Sequence, residues 1–100
     1  MEYPHQGDIL KIEKIKKPVL VVSRDFFNSS GEIIGCPIIR DSGEGPLHIR
    51  ISTEKSEGYV HCEKPTLLDL TVRGFKVTDR LSLYELIDIL DAIQSIFEYI

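Results

Sequence analysis

His61 and Glu63, two residues apart in the run Gly58-Tyr-Val-His-Cys-Glu-Lys-Pro65, have the types and the spacing to move protons. Read as a strand, Tyr59 to Glu63 aims His61 and Glu63 the same way and turns Cys62 to the opposite face, into the core. An imidazole changes charge near neutral pH, and a carboxylate beside it completes an acid–base pair. That chemistry suits moving protons on and off a ribose-phosphate.

The elements that must hold this pair follow from periodicity. Gly7-Asp8 precedes a first strand over Ile9–Ile15, in which Leu10 and Ile12 alternate with Lys11 and Glu13 and form one buried face. Val19 to Val22 is almost wholly apolar and β-branched, the pattern of a central strand covered on both sides. Arg24 to Phe27 fits one helical turn before the turn-forming cluster Asn28-Ser-Ser-Gly31. Glu32 to Ile39 is a strand that Gly35 and Pro37 interrupt, which implies a bulge or bend where the sheet curls.

The segment Asp41-Ser-Gly-Glu-Gly-Pro46 reads as a mobile loop leading into the alternating strand Leu47–Ile51. Ser52 to Glu57 is a polar turn. Leu67 to Val77 is ambiguous, with a turn or bulge at Gly74. Ser82-Leu-Tyr-Glu85 has the spacing of a capping box and opens a helix that runs to near the terminus. Leu83, Leu86, Ile87, Leu90, Ile93, Phe97 and Ile100 form its expected buried stripe, widened by Ile89 and Ile96. Five or six short strands and one terminal helix predict a mainly β fold: a small, strongly bent antiparallel barrel of the SH3-like kind, one domain over residues 1–100.

Composition narrows the function classes. With 42% hydrophobic and 28% charged residues the chain is expected to fold as a soluble domain, and no apolar run approaches a membrane span. Its first residues lack the basic and apolar parts of a signal peptide, so a cytoplasmic location is expected. Cys36 and Cys62 lack metal-ligand spacing and read as buried free thiols; neither a metal nor a cofactor is expected. A net charge of -4 argues against generic nucleic-acid binding. The acidic excess lies after Ser82, in Glu85, Asp88, Asp91 and Glu98, and the preceding part is neutral, with a basic cluster of Lys11, Lys14, Lys16 and Lys17. That cluster either faces phosphate or is a solvated lysine-rich turn.

The order of motifs resembles the MazF/PemK/Kid family of bacterial toxin endoribonucleases. The matching pieces are Gly7-Asp8-Ile9, Lys17-Pro18 with its apolar strand, Phe27-Asn28, Pro37-Ile38, the run Gly58 to Pro65, and Leu68-Asp69-Leu70. The last two resemble the family's Gly-Val-Val-Arg-Cys-Asp-Gln-Pro and Ile-Asp-Met. The resemblance implies metal-independent cleavage of single-stranded RNA through the 2'-hydroxyl, a homodimer, and neutralisation by a small antitoxin. His61 stands where the PemK branch has an arginine acid, Glu63 replaces its aspartate base, and Lys17 replaces the arginine before proline. Ile39 occupies the position of a threonine near the phosphate, and the loop between the first two strands is short.

Within that frame Glu63 is the expected base and His61 the expected acid. Arg40 is the expected partner of phosphorane charge, because guanidinium presents paired donors to phosphate oxygens. Lys17 seconds it; Lys16 and His48 complete the expected substrate contacts. Phe26, Phe27 and Tyr59 are either stacking platforms for bases or core residues, with Phe27 assigned to the core. Two other classes stay open: a catalytically degenerate toxin-fold binding module, gyrase-directed or protein-binding and without nuclease activity, suggested by Ile39 and the short loop, and a generic SH3-like interaction domain, disfavoured by the absence of Trp.

Overall fold

The computed structural model describes residues 2–97. Seven strands form one curled antiparallel sheet: β1 (Asp8–Ile12), β2 (Val19–Val21), β3 (Glu32–Ile39), β4 (His48–Ser52), β5 (Glu57–His61), β6 (Thr66–Asp69) and β7 (Phe75–Arg80). A single helical turn, α1 (Asp25–Asn28), separates β2 from β3, and α2 (Leu83–Ser95) ends the fold. This is the expected small bent β architecture with a carboxyl-terminal helix. Leu67 to Val77 resolves into two strands on either side of Gly74, which brings the total to seven.

The sheet runs β4-β5-β3-β2-β1-β7, with β6 also on β3. β3 organises it. Along one edge β3 pairs β2 from Gly35 to Pro37, while on the other it pairs β6 from Glu32 to Gly35 and β5 at Ile38 and Ile39. The predicted interruption is therefore an exchange of partners within an unbroken strand. Gly35 permits it, since a Cβ there would lie 2.3 Å from Val19 Cγ1.

Alternation sends apolar side chains to both faces. Ile9, Leu20 and Cys36 share register and enter one core with Ile38, Ile51, Val60, Cys62 and Ile89 of α2. Leu10, Ile12, Val19 and Val21 enter a second core with Ile33 and Leu70. β1 thus buries both faces rather than the single face its Lys11 and Glu13 suggest. It also ends at Ile12, not Ile15: Ile15 N–H donates to Ile12 O across a tight turn in which Lys14 takes a left-handed φ of 68°.

The helix start is as predicted, with Ser82 Oγ accepting from Glu85 N–H and lying 3.0 Å from Glu85 Oε1. Its buried side differs. Leu86 and Ile89 are buried and Leu90, Ala92 and Ile93 pack beside them, whereas Leu83 is 70% exposed, Phe97 is 71% exposed and Ile87 is exposed as well. Helix and sheet meet over a narrower arc than the apolar residues span, so the excess faces solvent. Ile100 lies outside the described residues. No helix among the described residues is long and apolar enough to cross a membrane.

Candidate functional site

The β4–β5 hairpin places the chemistry. Its register sets His48 opposite His61 and Arg50 opposite Tyr59, with the turn centred between Glu54 and Lys55. Directly opposed residues share a face, and the two imidazoles stack with centroids 3.8 Å apart and planes 9° from parallel. β5 ends at His61, so Cys62 and Glu63 belong to the turn that follows instead of the strand predicted to reach Glu63. Cys62 N–H donates to Leu47 O at 2.8 Å and Lys64 N–H to His61 O at 3.1 Å, and this turn returns the Glu63 carboxylate to the histidines. His48 Nε2–H donates to Glu63 Oε2 at 2.8 Å.

His61 and Glu63 therefore converge, by a turn and not by alternation. One potential ligand or proton-carrying atom from each of His48, His61 and Glu63 lies within 4.8 Å of the other two. Burial separates their characters. Glu63 is exposed, and the His48 hydrogen bond, followed by its backbone contacts, holds its pKa below the ordinary carboxylate value. His61 is only 6% exposed, and neither Nδ1 nor Nε2 has a hydrogen-bond partner. Desolvation, then the neighbouring His48, pushes its pKa below the imidazole value of 6.5, which disfavours the charged ring that a general acid needs.

Gly58 fixes the other end of β5. A Cβ there would stand 3.0 Å from Ile39 O and 3.1 Å from Arg40 Cα, so a side chain would require that backbone to shift. Arg40 thus sits level with Gly58, three residues and about 10 Å of strand from His61. It lines a hollow with Lys17, Pro18, Ile38, Lys55, Ser56 and Glu57. His48 and Glu63 line another hollow with Gly45, Pro46 and Leu47. The predicted constellation is split: His48, His61 and Glu63 come together, Lys17 and Arg40 come together, and Lys16 is exposed in the β1–β2 connection outside both hollows.

Among the described residues Arg40, Lys16 and Lys17 make no salt bridge, so their charges are available to a ligand. Phe26 is exposed, while Phe27 and Tyr59 are half-buried. Both cysteines are buried free thiols, as expected; burial pushes Cys36 up to about 12 and Cys62 up to about 11, which makes both unreactive near neutral pH. What residue types alone did not show was the bond between His48 and Glu63. Its signal was present in the hairpin: centring the turn on Glu54 and Lys55 sets His48 across from His61.

A family model described as the PemK-like, MazF-like toxin of type II toxin-antitoxin systems matches residues 4–97. No curated protein matches the chain in sequence. Among solved structures, MazF in a MazE–MazF complex from Deinococcus radiodurans is similar, at 18% identity, 97% coverage of both chains and a TM-score of 0.87. MazF from the same organism without its partner gives 17% identity, coverage of 97% of this chain and 98% of that one, and a TM-score of 0.84. An endoribonuclease from a mycobacterial species, solved with its cognate antitoxin, gives 16% identity, 94% coverage of both chains and a TM-score of 0.79.

Proposed function

Since the chain belongs to the PemK-like, MazF-like toxins of type II toxin–antitoxin systems, we propose that it is a metal-independent endoribonuclease cutting single-stranded RNA at the His48–His61–Glu63 cluster. The observation that supports this reading most is the convergence of two imidazoles and an ionised carboxylate within 4.8 Å, with His48 and Glu63 lining an open hollow and His61 buried behind them. Glu63 takes the proton of the 2'-hydroxyl as its oxygen attacks the adjacent phosphorus. The bond from phosphorus to the 5'-oxygen breaks, and His61 delivers a proton to that oxygen. The products are a 2',3'-cyclic phosphate and a 5'-hydroxyl. The negative phosphate beside His61 supplies the charge that favours its protonation when RNA is bound. His48 is the positioning residue, fixing Glu63 through the 2.8 Å hydrogen bond.

Arg40 and Lys17 take a different part from the one expected. With Arg40 about 10 Å of strand away from His61, we assign it and Lys17 to a neighbouring phosphate of the RNA strand, not to the phosphorane. Lys16 adds sequence-independent attraction. We also assign to the chain a homodimeric state and a cognate antitoxin, whose acidic or amphipathic tail competes with RNA for the hollow at Lys17 and Arg40. High salt and charge reversal at Lys17 and Arg40 should both weaken that complex; indifference to both would refute the tail's placement.

One observation favours a second reading, a binding module without nuclease activity: His61 is buried and the cationic hollow is separate from it. Cleavage assays in chelator separate the two readings. The nuclease reading expects cut RNA, with activity lost in Glu63→Gln and in His61→Ala. Intact RNA after long incubation would favour the module, whereas cutting unchanged in both variants would overturn the roles assigned to Glu63 and His61.

A further inference from the structure

We propose that His48, His61 and Glu63 form a binding site for a divalent transition-metal ion of the zinc class. Two imidazole nitrogens and one carboxylate oxygen are a ligand set that zinc accepts, with a fourth position left for water. One ligand atom from each residue lies within 4.8 Å of the others.

The second observation is independent of that cluster's composition. His61 is more than nine-tenths buried, and both of its ring nitrogens lack any hydrogen-bond partner. An unpartnered imidazole in a dry place costs stability, and a metal ion is one of the few ligands that repays the lone pair directly. The backbone around the three residues is already fixed, by the His48–His61 register and by the hydrogen bonds of Cys62 and Lys64. The hollow bounded by Gly45, Pro46 and Leu47 opens on His48 and Glu63 and gives an ion its route from solvent.

Geometry states what must move. Bond lengths near 2.0–2.2 Å put tetrahedral ligand atoms about 3.4 Å apart, so a pair at the 4.8 Å limit must close by about 1.4 Å. Imidazole lone pairs lie in the ring planes, and parallel planes do not meet; the two rings must splay from their stack. Both changes require rotation about side-chain bonds, and the ion takes the place of the hydrogen bond between His48 and Glu63. Cys62, although adjacent in sequence, belongs to the core and is not a ligand.

Ion binding does not rest on the nuclease reading, but its consequence does. A bound ion occupies the same lone pairs that move protons, so zinc should inhibit RNA cleavage and chelator should restore it.

The test is a titration of the full chain, freed of metal, with cobalt(II) followed by visible absorption and then displaced by zinc. One ion per chain is expected, with intense bands of tetrahedral type and no thiolate-to-cobalt band. Affinity should fall at least about tenfold in His48→Ala and in Glu63→Gln, and remain unchanged in His5→Ala, which alters the other histidine–carboxylate pair. Ring resonances of His48 and His61 should shift with zinc while those of His5 stay, a readout that holds in wild-type protein even if a variant folds poorly. Absence of saturable binding, affinity unaltered in both ligand variants, or a thiolate band would overturn the site. Cobalt binding without RNA cleavage under any condition would leave the site standing and remove the nuclease reading; cleavage without cobalt binding would do the reverse.

Discussion

Two histidine–carboxylate bonds of nearly equal length keep different company in this molecule. His5 Nδ1 lies 2.7 Å from Asp25 Oδ2, and Gln6 N–H also donates to Asp25. Nearby, the buried carboxylate of Asp8 accepts from His5 N–H at 2.8 Å and from Arg80 Nε at 2.7 Å. Every buried polar side chain of that region has a partner. His48 and Glu63 make the matching 2.8 Å bond, yet the ring stacked on His48 is buried with both nitrogens unmatched. Satisfied polar groups describe architecture, whereas a buried group left unsatisfied marks a place where the fold tolerates a cost for use.

The largest effect should separate the two regions by activity. Glu63→Gln is expected to slow RNA cleavage by about 10^2- to 10^4-fold, while Asp25→Asn leaves the rate unchanged, both measured on one end-labelled RNA. Equal losses would erase the distinction. Stability should separate them in the opposite sense. Arg80→Ala removes a charged donor from buried Asp8 and should cost about 1.5–3 kcal/mol in denaturant unfolding; no measurable change would show that water replaces the guanidinium freely.

A smaller effect has the opposite sign. His61→Leu replaces an unsatisfied buried ring by an apolar side chain and should raise stability by about 1 kcal/mol while abolishing cleavage. A clear loss of stability would mean that the stack with His48 outweighs the missing hydrogen bonds. The smallest effect is a pH dependence. The His5 hydrogen bond, then the Gln6 N–H, holds Asp25 below its ordinary value of 3.8. A depressed carboxylate contributes stability above its unfolded value and loses it as pH falls through the folded one. Thermal midpoints of wild type and Asp25→Asn should therefore differ at pH 7 and converge below pH 3.8; a gap that persists in acid would point to another cause.

How much of this was readable beforehand depends on the range of the interactions. Val19 to Val22 announced a central strand, observed over Val19–Val21, because an apolar, mostly β-branched run needs cover on both faces, and Ser82 with Glu85 announced the helix start because capping is local. Gly35 was legible as an irregularity, but its cause, the approach of Val19 and the exchange of β6 for β5 along β3, needs three strands in place. The helix stripe was overdrawn because periodicity counts apolar residues and not the area of sheet available to cover them, so Leu83 and Ile87 remain exposed. His61 and Glu63 were paired for the wrong local reason. Alternation fails after His61, and a turn brings Glu63 back to His48. Arg40 lies close in sequence logic to the proposed chemistry, yet strand length puts it in another hollow.

The chemistry of the cut ends tests the central claim most directly. Purified protein incubated with single-stranded RNA in chelator, followed by mapping of both new termini, should yield a 2',3'-cyclic phosphate on one fragment and a 5'-hydroxyl on the other. Uncut RNA, or termini bearing a 3'-hydroxyl and a 5'-phosphate, would contradict proton transfer by Glu63 and His61.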